Sequence, residues 1–174
     1  MAPQEASDFI ESLEKSREEL LAAAANVPEA QANTKPESGR WSVLECLEHL
    51  TISEEKLLAR LEAAPRLEQV TVDKRKEAEI AIRMPNRSIR AEAPEAVRPT
   101  GQIAGLAEAL QRFTAARSRT IQFVETRGAD LYRVSAQHFR LGMLNGAEWM
   151  VLLAGHARRH AEQIREVKDA LGIS

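Results

Sequence analysis

The stretch Glu148–Leu171, EWMVLLAGHARRHAEQIREVKDAL, decides how this chain is read. At 100° per residue, Trp149, Leu152, Leu153, His156, His160, Ile164, Val167 and Leu171 fall on one side, so the segment is an amphipathic helix. Two histidines in the middle of that apolar stripe are unexpected, because burying an uncompensated imidazole is unfavourable. Spaced i, i+4, they stand one above the other and aim ring nitrogens at one volume. A divalent cation satisfies both. Hydrogen bonds to carbonyls or carboxylates are the structural alternative and, judged on spacing alone, the commoner one.

Working outward, three more segments show helical periodicity, and almost nothing alternates with period two. The first runs from about Ser7 to Asn26, with Phe9, Ile10, Leu13, Leu20, Leu21 and Ala24 on its apolar side. The second starts at Trp41, carries Val43, Leu44, Leu47, Leu50, Leu57, Leu58 and Leu61, and is closed by Pro65. Ser42 and Glu45 form a capping box there, as Asn145 and Glu148 do for the last helix. The third opens after Pro99-Thr100-Gly101 and runs through Ile103, Leu106, Leu110, Phe113, Ile121 and Val124 to Gly128. Four helices of about 20 residues each predict an all-α four-helix bundle, with residues 1–174 as a single domain. Between the second and third helices, Pro65 to Pro99 is far longer than a tight antiparallel turn and suits a crossover between parallel helices. Within it, Val70 to Arg83 reads equally as a helix or a strand pair.

Composition narrows the function classes. With 24 basic and 26 acidic residues the net charge is −2, so no field draws the chain to nucleic acid. Lys74-Arg75-Lys76 is flanked by Asp73, Glu77 and Glu79 and reads as a solvated face. Cys46 stands alone, which rules out an intrachain disulfide and suits a reducing compartment. The Met1 to Glu5 start lacks a basic segment followed by an apolar one, and no stretch approaches the roughly 18 apolar residues of a membrane span. The expectation is a cytoplasmic protein without membrane or nucleic-acid partners.

Two motifs carry a family resemblance. Trp41-Ser-Val-Leu-Glu-Cys-Leu-Glu-His49-Leu50 has Trp-Ser followed by His-Leu eight residues after the tryptophan. His138-Phe-Arg-Leu-Gly142 precedes Glu148-Trp149 and then His156-Ala-Arg-Arg-His160-Ala-Glu-Gln163-Ile164. Together they resemble the DinB/YfiT-like superfamily, over roughly residues 5–172. Phe139 stands where many members have proline. The resemblance implies a four-helix bundle of up-down-down-up type holding one divalent metal on three histidines: His49 of helix two, and His156 with His160 of helix four. Three protein ligands leave open positions, as catalytic sites do. Zinc, nickel and iron all suit imidazole, so the metal stays unnamed.

Periodicity disagrees with the resemblance on one point. His49 lies about 140° from the centre of the helix-two stripe, which by itself describes a partly exposed histidine. His138 reads as a loop histidine packed on the bundle end, or else as a fourth donor or lid. Gln163 can bond a ligand histidine or make a polar contact with helix one, and Arg159 flanks the mouth as an anion contact or a surface ion pair. Cys46, one turn before His49, reads as inert packing, and Glu45 and Glu148 are explained by capping, so the catalytic residues stay unknown.

Two functions follow. One is metal-dependent transfer of a low-molecular-weight thiol to an electrophile, as the resemblance implies, with hydrolysis of a small molecule as its near neighbour. The other is a non-catalytic metal- or ligand-binding bundle. A homodimer is expected from the resemblance and from Met150 and Val151, which lie off the main helix-four stripe.

Overall fold

The structure, a computed structural model, describes residues 3–70, 72–89 and 92–174. Met1 and Ala2 at the start, and Thr71, Arg90 and Ala91 of the crossover, lie outside the described residues. The helices are α1 (Pro3–Ala24), α2 (Val43–Ala63), α3 (Lys74–Arg83), α4 (Leu106–Arg127) and α5 (Gly146–Leu171), with strands β1 (Ser135–His138) and β2 (Gly142–Asn145). Both capping boxes are present: Ser42 Oγ accepts from Glu45 N at 3.1 Å, and Asn145 Oδ1 from Glu148 N at 2.9 Å. Each carboxylate returns the bond to the cap nitrogen, so two orphan donors are satisfied at each end. Beyond Leu171, Gly172 takes the left-handed conformation (φ +67°) that ends a helix at little cost.

The four long helices form a bundle in which α1 and α2 each pack against both α4 and α5. Polar contacts between helices show their directions. Arg158 with Glu19 and Lys168 with the Ala25 carbonyl advance together, so α1 and α5 run parallel. Arg117 with Glu54 and Arg119 with Glu55 do the same for α2 and α4. This is the expected up-down-down-up order, and the long crossover exists because α2 and α4 must start at the same end.

A polar layer divides the aliphatic core. On one side are Leu13, Leu61, Val124, Leu131, Leu144 and Met150; on the other Leu20, Leu47, Leu50, Phe113 and Ile164. Between them lies Arg117, with no exposed surface. Its Nε and Nη2 donate to both oxygens of Glu54, at 2.7 and 3.0 Å. Nη1 donates to the Leu13 carbonyl and Ser16 Oγ, and Nη2 also reaches the Leu153 carbonyl. All five guanidinium protons are used, on α1, α2 and α5.

One reading left open is decided by the structure, and three others differ from the sequence expectations. The segment left open between Val70 and Arg83 contains a helix, α3, capped by Asp73 and packed on α5. The stretch before α5 is an antiparallel hairpin rather than a loop, with Ala136 opposite Leu144. Strands of four residues are too short to show a period-two signal, and they pair locally across a turn that ends at Gly142 (φ +74°). The first helix begins at Pro3, earlier than Ser7. Met150 is buried in its own chain and Val151 packs against the same core, so neither argues for a dimer.

Gly155 marks where the crossover comes closest to α5. A Cβ there would lie 2.8 Å from Met84 Cβ and 3.3 Å from Pro85 Cδ. Gly155→Ala is therefore expected to push the end of α3 outward and destabilise the fold by about 1–3 kcal/mol, although alanine is the better helix former. Urea denaturation checks it; an unchanged or raised midpoint would show that the crossover yields freely.

Candidate metal centre

α2 and α5 run antiparallel, and this brings His49 opposite His156 and His160. The ring nitrogens converge: His156 Nε2 is 3.1 Å from His49 Nε2 and 3.1 Å from His160 Nε2. One donor atom from each residue lies within 4.8 Å of the others. Among the described residues this is the group of three or more His, Cys, Asp or Glu able to hold a metal ion. His49 and His160 are 4% and 5% exposed, and His156 is partly exposed as a residue although its ring nitrogens lie in a buried setting.

The tautomers argue for a cation. His49 Nδ1 is 2.6 Å from the Val97 carbonyl, so it carries the proton and leaves a lone pair on Nε2. A carbonyl behind the ring is the usual way a metal-ligating histidine is oriented. A proton on one Nε2 cannot properly satisfy both 3.1 Å contacts of His156, whereas a central cation relieves them together. Neighbouring nitrogens bound to one cation at about 2.0–2.2 Å stand roughly 3.0–3.4 Å apart, which fits the observed separations. His160 Nδ1, in contrast, is buried without a partner among the described residues.

Protonation is disfavoured at all three rings. Burial lowers the pKa of His49, partly opposed by its bond to Val97. Burial also holds His156 and His160 well below the ordinary 6.5, reinforced by each ring's imidazole neighbours and by Arg159. The imidazoles are thus neutral at physiological pH and their lone pairs available. The same shifts set a pH dependence. The unfolded chain takes up protons near 6.5, while the folded chain resists until lower pH, so the folded state binds fewer protons in between. Metal-free protein is expected to lose stability as pH falls from about 7 to about 5. A denaturation midpoint that does not move over this range would contradict the shifts.

His49 is buried, against the reading from periodicity, and the cover comes from outside α2. The 3₁₀ turn Glu95–Val97 lies on that flank, and the Trp41 ring sits 4.8 Å from the His49 ring. Trp41 also stacks on His160, at 6.0 Å and 14° between planes. Glu48 anchors the following loop, accepting bonds from Thr100 N, Thr100 Oγ1, Gly101 N and Gln102 N. Burial opposes its ionisation, but these bonds prevail and hold its carboxyl below the usual range.

The remaining candidates have other partners. Arg159 does not form a surface ion pair; the residue is 9% exposed and its guanidinium donates to the Asn86 and Ile89 carbonyls, tying down the crossover. Gln163 is engaged by the crossover, its Oε1 accepting from Arg87 at 3.0 Å. Arg87 also grips both oxygens of Glu166, which Arg40 reaches from the loop before Trp41. That Arg87 contact, helped by Arg40 and Arg159, keeps the Glu166 carboxyl low against the effect of burial. His138 packs on Trp149, its Nδ1 accepting from Arg140 N and Leu141 N, and it is outside the three-histidine group. Cys46 is fully buried, which pushes its thiol far up and makes it inert. Glu45 and Glu148 serve as caps. Arg87, Glu48 and the Arg117–Glu54 pair were missed because their roles depend on residues more than 50 positions away.

Comparison with known proteins agrees with this architecture. A solved structure described as "YfiT from Bacillus subtilis is a probable metal-dependent hydrolase with an unusual four-helix bundle topology" is similar, at a TM-score of 0.61 and 16% identity. The alignment covers 100% of this chain and 91% of that one. No curated protein matches the chain. The family model described as DinB superfamily matches residues 12–164, most of the sequence and both histidine-bearing helices. The chain belongs to the DinB superfamily.

Proposed function

We propose that this protein is a metal-dependent enzyme acting on a small molecule, with His49, His156 and His160 as ligands of one divalent ion. The convergence of three Nε2 atoms with too few protons to satisfy their contacts carries this reading. A divalent cation supplies Lewis acidity there, which makes water or a thiol nucleophilic at neutral pH. The residues around it have separate tasks. The Val97 carbonyl orients His49, Trp41 walls off His49 and His160, and Arg159 with Arg87 fixes the crossover alongside. Transfer of a low-molecular-weight thiol to an electrophile is the reaction we favour, with hydrolysis, named for the similar YfiT structure, as the near neighbour.

The other reading, a non-catalytic metal-binding bundle, draws on the deep burial of His49 and His160. Against it stands the donor count, since no fourth protein ligand joins the three among the described residues. Pairing into a homodimer belongs to the same proposal and is tested by sedimentation; the exposed Ile82, Phe139 and Met143 support it.

Elemental analysis tests the centre. Protein purified without added metal or chelator is expected to hold zinc, nickel or iron near one ion per chain, and His49→Ala, prepared identically, to lose it. A parent without metal, even after reconstitution, would remove the basis for the enzyme reading.

A further inference from the structure

Among the described residues, two buried side-chain polar atoms lack a hydrogen-bond partner: His160 Nδ1 and Ser53 Oγ. The first belongs to the histidine centre. The second lies on α2, four residues after His49 and therefore one turn along the same face. Helical side chains lean toward the N-terminus, which carries the Ser53 hydroxyl back over the turn that holds His49. α2 packs against α5 on this flank, where His156 stands opposite His49.

Its isolation is unusual within this fold. A buried hydroxyl in a helix commonly returns to the carbonyl four residues back, as Thr51 does to Leu47 (2.9 Å) and Thr120 to Ala116 (3.3 Å). Ser53 makes no such bond. A buried hydroxyl left unsatisfied destabilises a fold, so one in this state a single turn along α2 from His49 points to a partner that arrives with a ligand.

Charge indicates what kind of ligand. Three imidazoles bring no negative charge to a divalent ion. Arg159, next to His160 in sequence, is nearly buried, bonds only to carbonyls, and has no ion-pair partner among the described residues. The surroundings therefore favour a ligand that is itself anionic.

We propose that Ser53 is a ligand-binding residue of the histidine centre, its hydroxyl donating a hydrogen bond to an anionic thiolate or carboxylate of a small molecule seated against His49, His156 and His160. This rests on the metal-dependent reading above.

The test uses Co2+ as the metal and mercaptoethanol or acetate as separate probes, read from the visible Co2+ bands of the full chain. Parent and Ser53→Ala are expected to take up Co2+ equally. Ser53→Ala should then bind a probe about tenfold or more weakly, with Ser53→Thr close to the parent. Weakening for mercaptoethanol alone identifies a thiolate ligand, and for acetate alone a carboxylate. In the metal-free state, Ser53→Ala should melt at or above the parent temperature, because it removes an unsatisfied hydroxyl. A lower melting temperature would reveal a structural partner and overturn the proposal. Equal probe affinities, or no response of the parent to either probe, would overturn it while leaving the metal reading intact. Failure of the parent to take up Co2+ would overturn both.

Discussion

Glu54→Leu is expected to destabilise the bundle by about 3–5 kcal/mol, because it strands a guanidinium in the core. Arg117 has no exposed surface and Glu54 is 1% exposed, so water cannot replace the lost carboxylate. Two of the guanidinium's five bonds disappear while those to Leu13, Ser16 and Leu153 remain, leaving the charge without its counter-ion. The double variant Glu54→Leu with Arg117→Met should recover most of the loss. It removes both charges, and Ser16 Oγ keeps its own bond to the Leu13 carbonyl at 2.9 Å. Urea denaturation of the parent, both singles and the double gives the coupling energy directly. Near-additive losses would mean that the pair does not act as a unit.

Replacing His156 and His160 together by alanine is expected to abolish stoichiometric metal binding while leaving helical content close to the parent's. Of the three proposed ligands only His49 then remains, and a single imidazole does not hold a divalent ion against water. The bundle persists because its stability resides in the aliphatic clusters on either side of the Arg117 layer and in the two capping boxes. Elemental analysis and circular dichroism of the same preparation check both halves. Metal retained at the parent level would move the site elsewhere, and loss of helix would make the histidines structural.

Much of the fold was legible because it rests on local rules. Ser42 with Glu45 and Asn145 with Glu148 announce helix starts within four residues, and both boxes form as read. The i, i+4 spacing of His156 and His160 is likewise a property of one helix. The hairpin was not legible, since four-residue strands carry too little pattern. Nor was the burial of His49: its cover comes from Trp41 and from the turn at Glu95–Val97, and a helical wheel of α2 contains neither.

Four long amphipathic helices, their caps, a long crossover, and two histidines aimed at one volume are written into local stretches of the chain. These follow from side-chain periodicity and short-range hydrogen bonding, which act over a few residues. What those groups meet is set by packing between distant segments: His49 across from His156, Val97 behind His49, Glu54 within reach of Arg117, and Ser53 with no protein partner among the described residues. Such contacts join positions as much as 107 residues apart. They depend on the angle and register at which helices pack, and no local pattern encodes these.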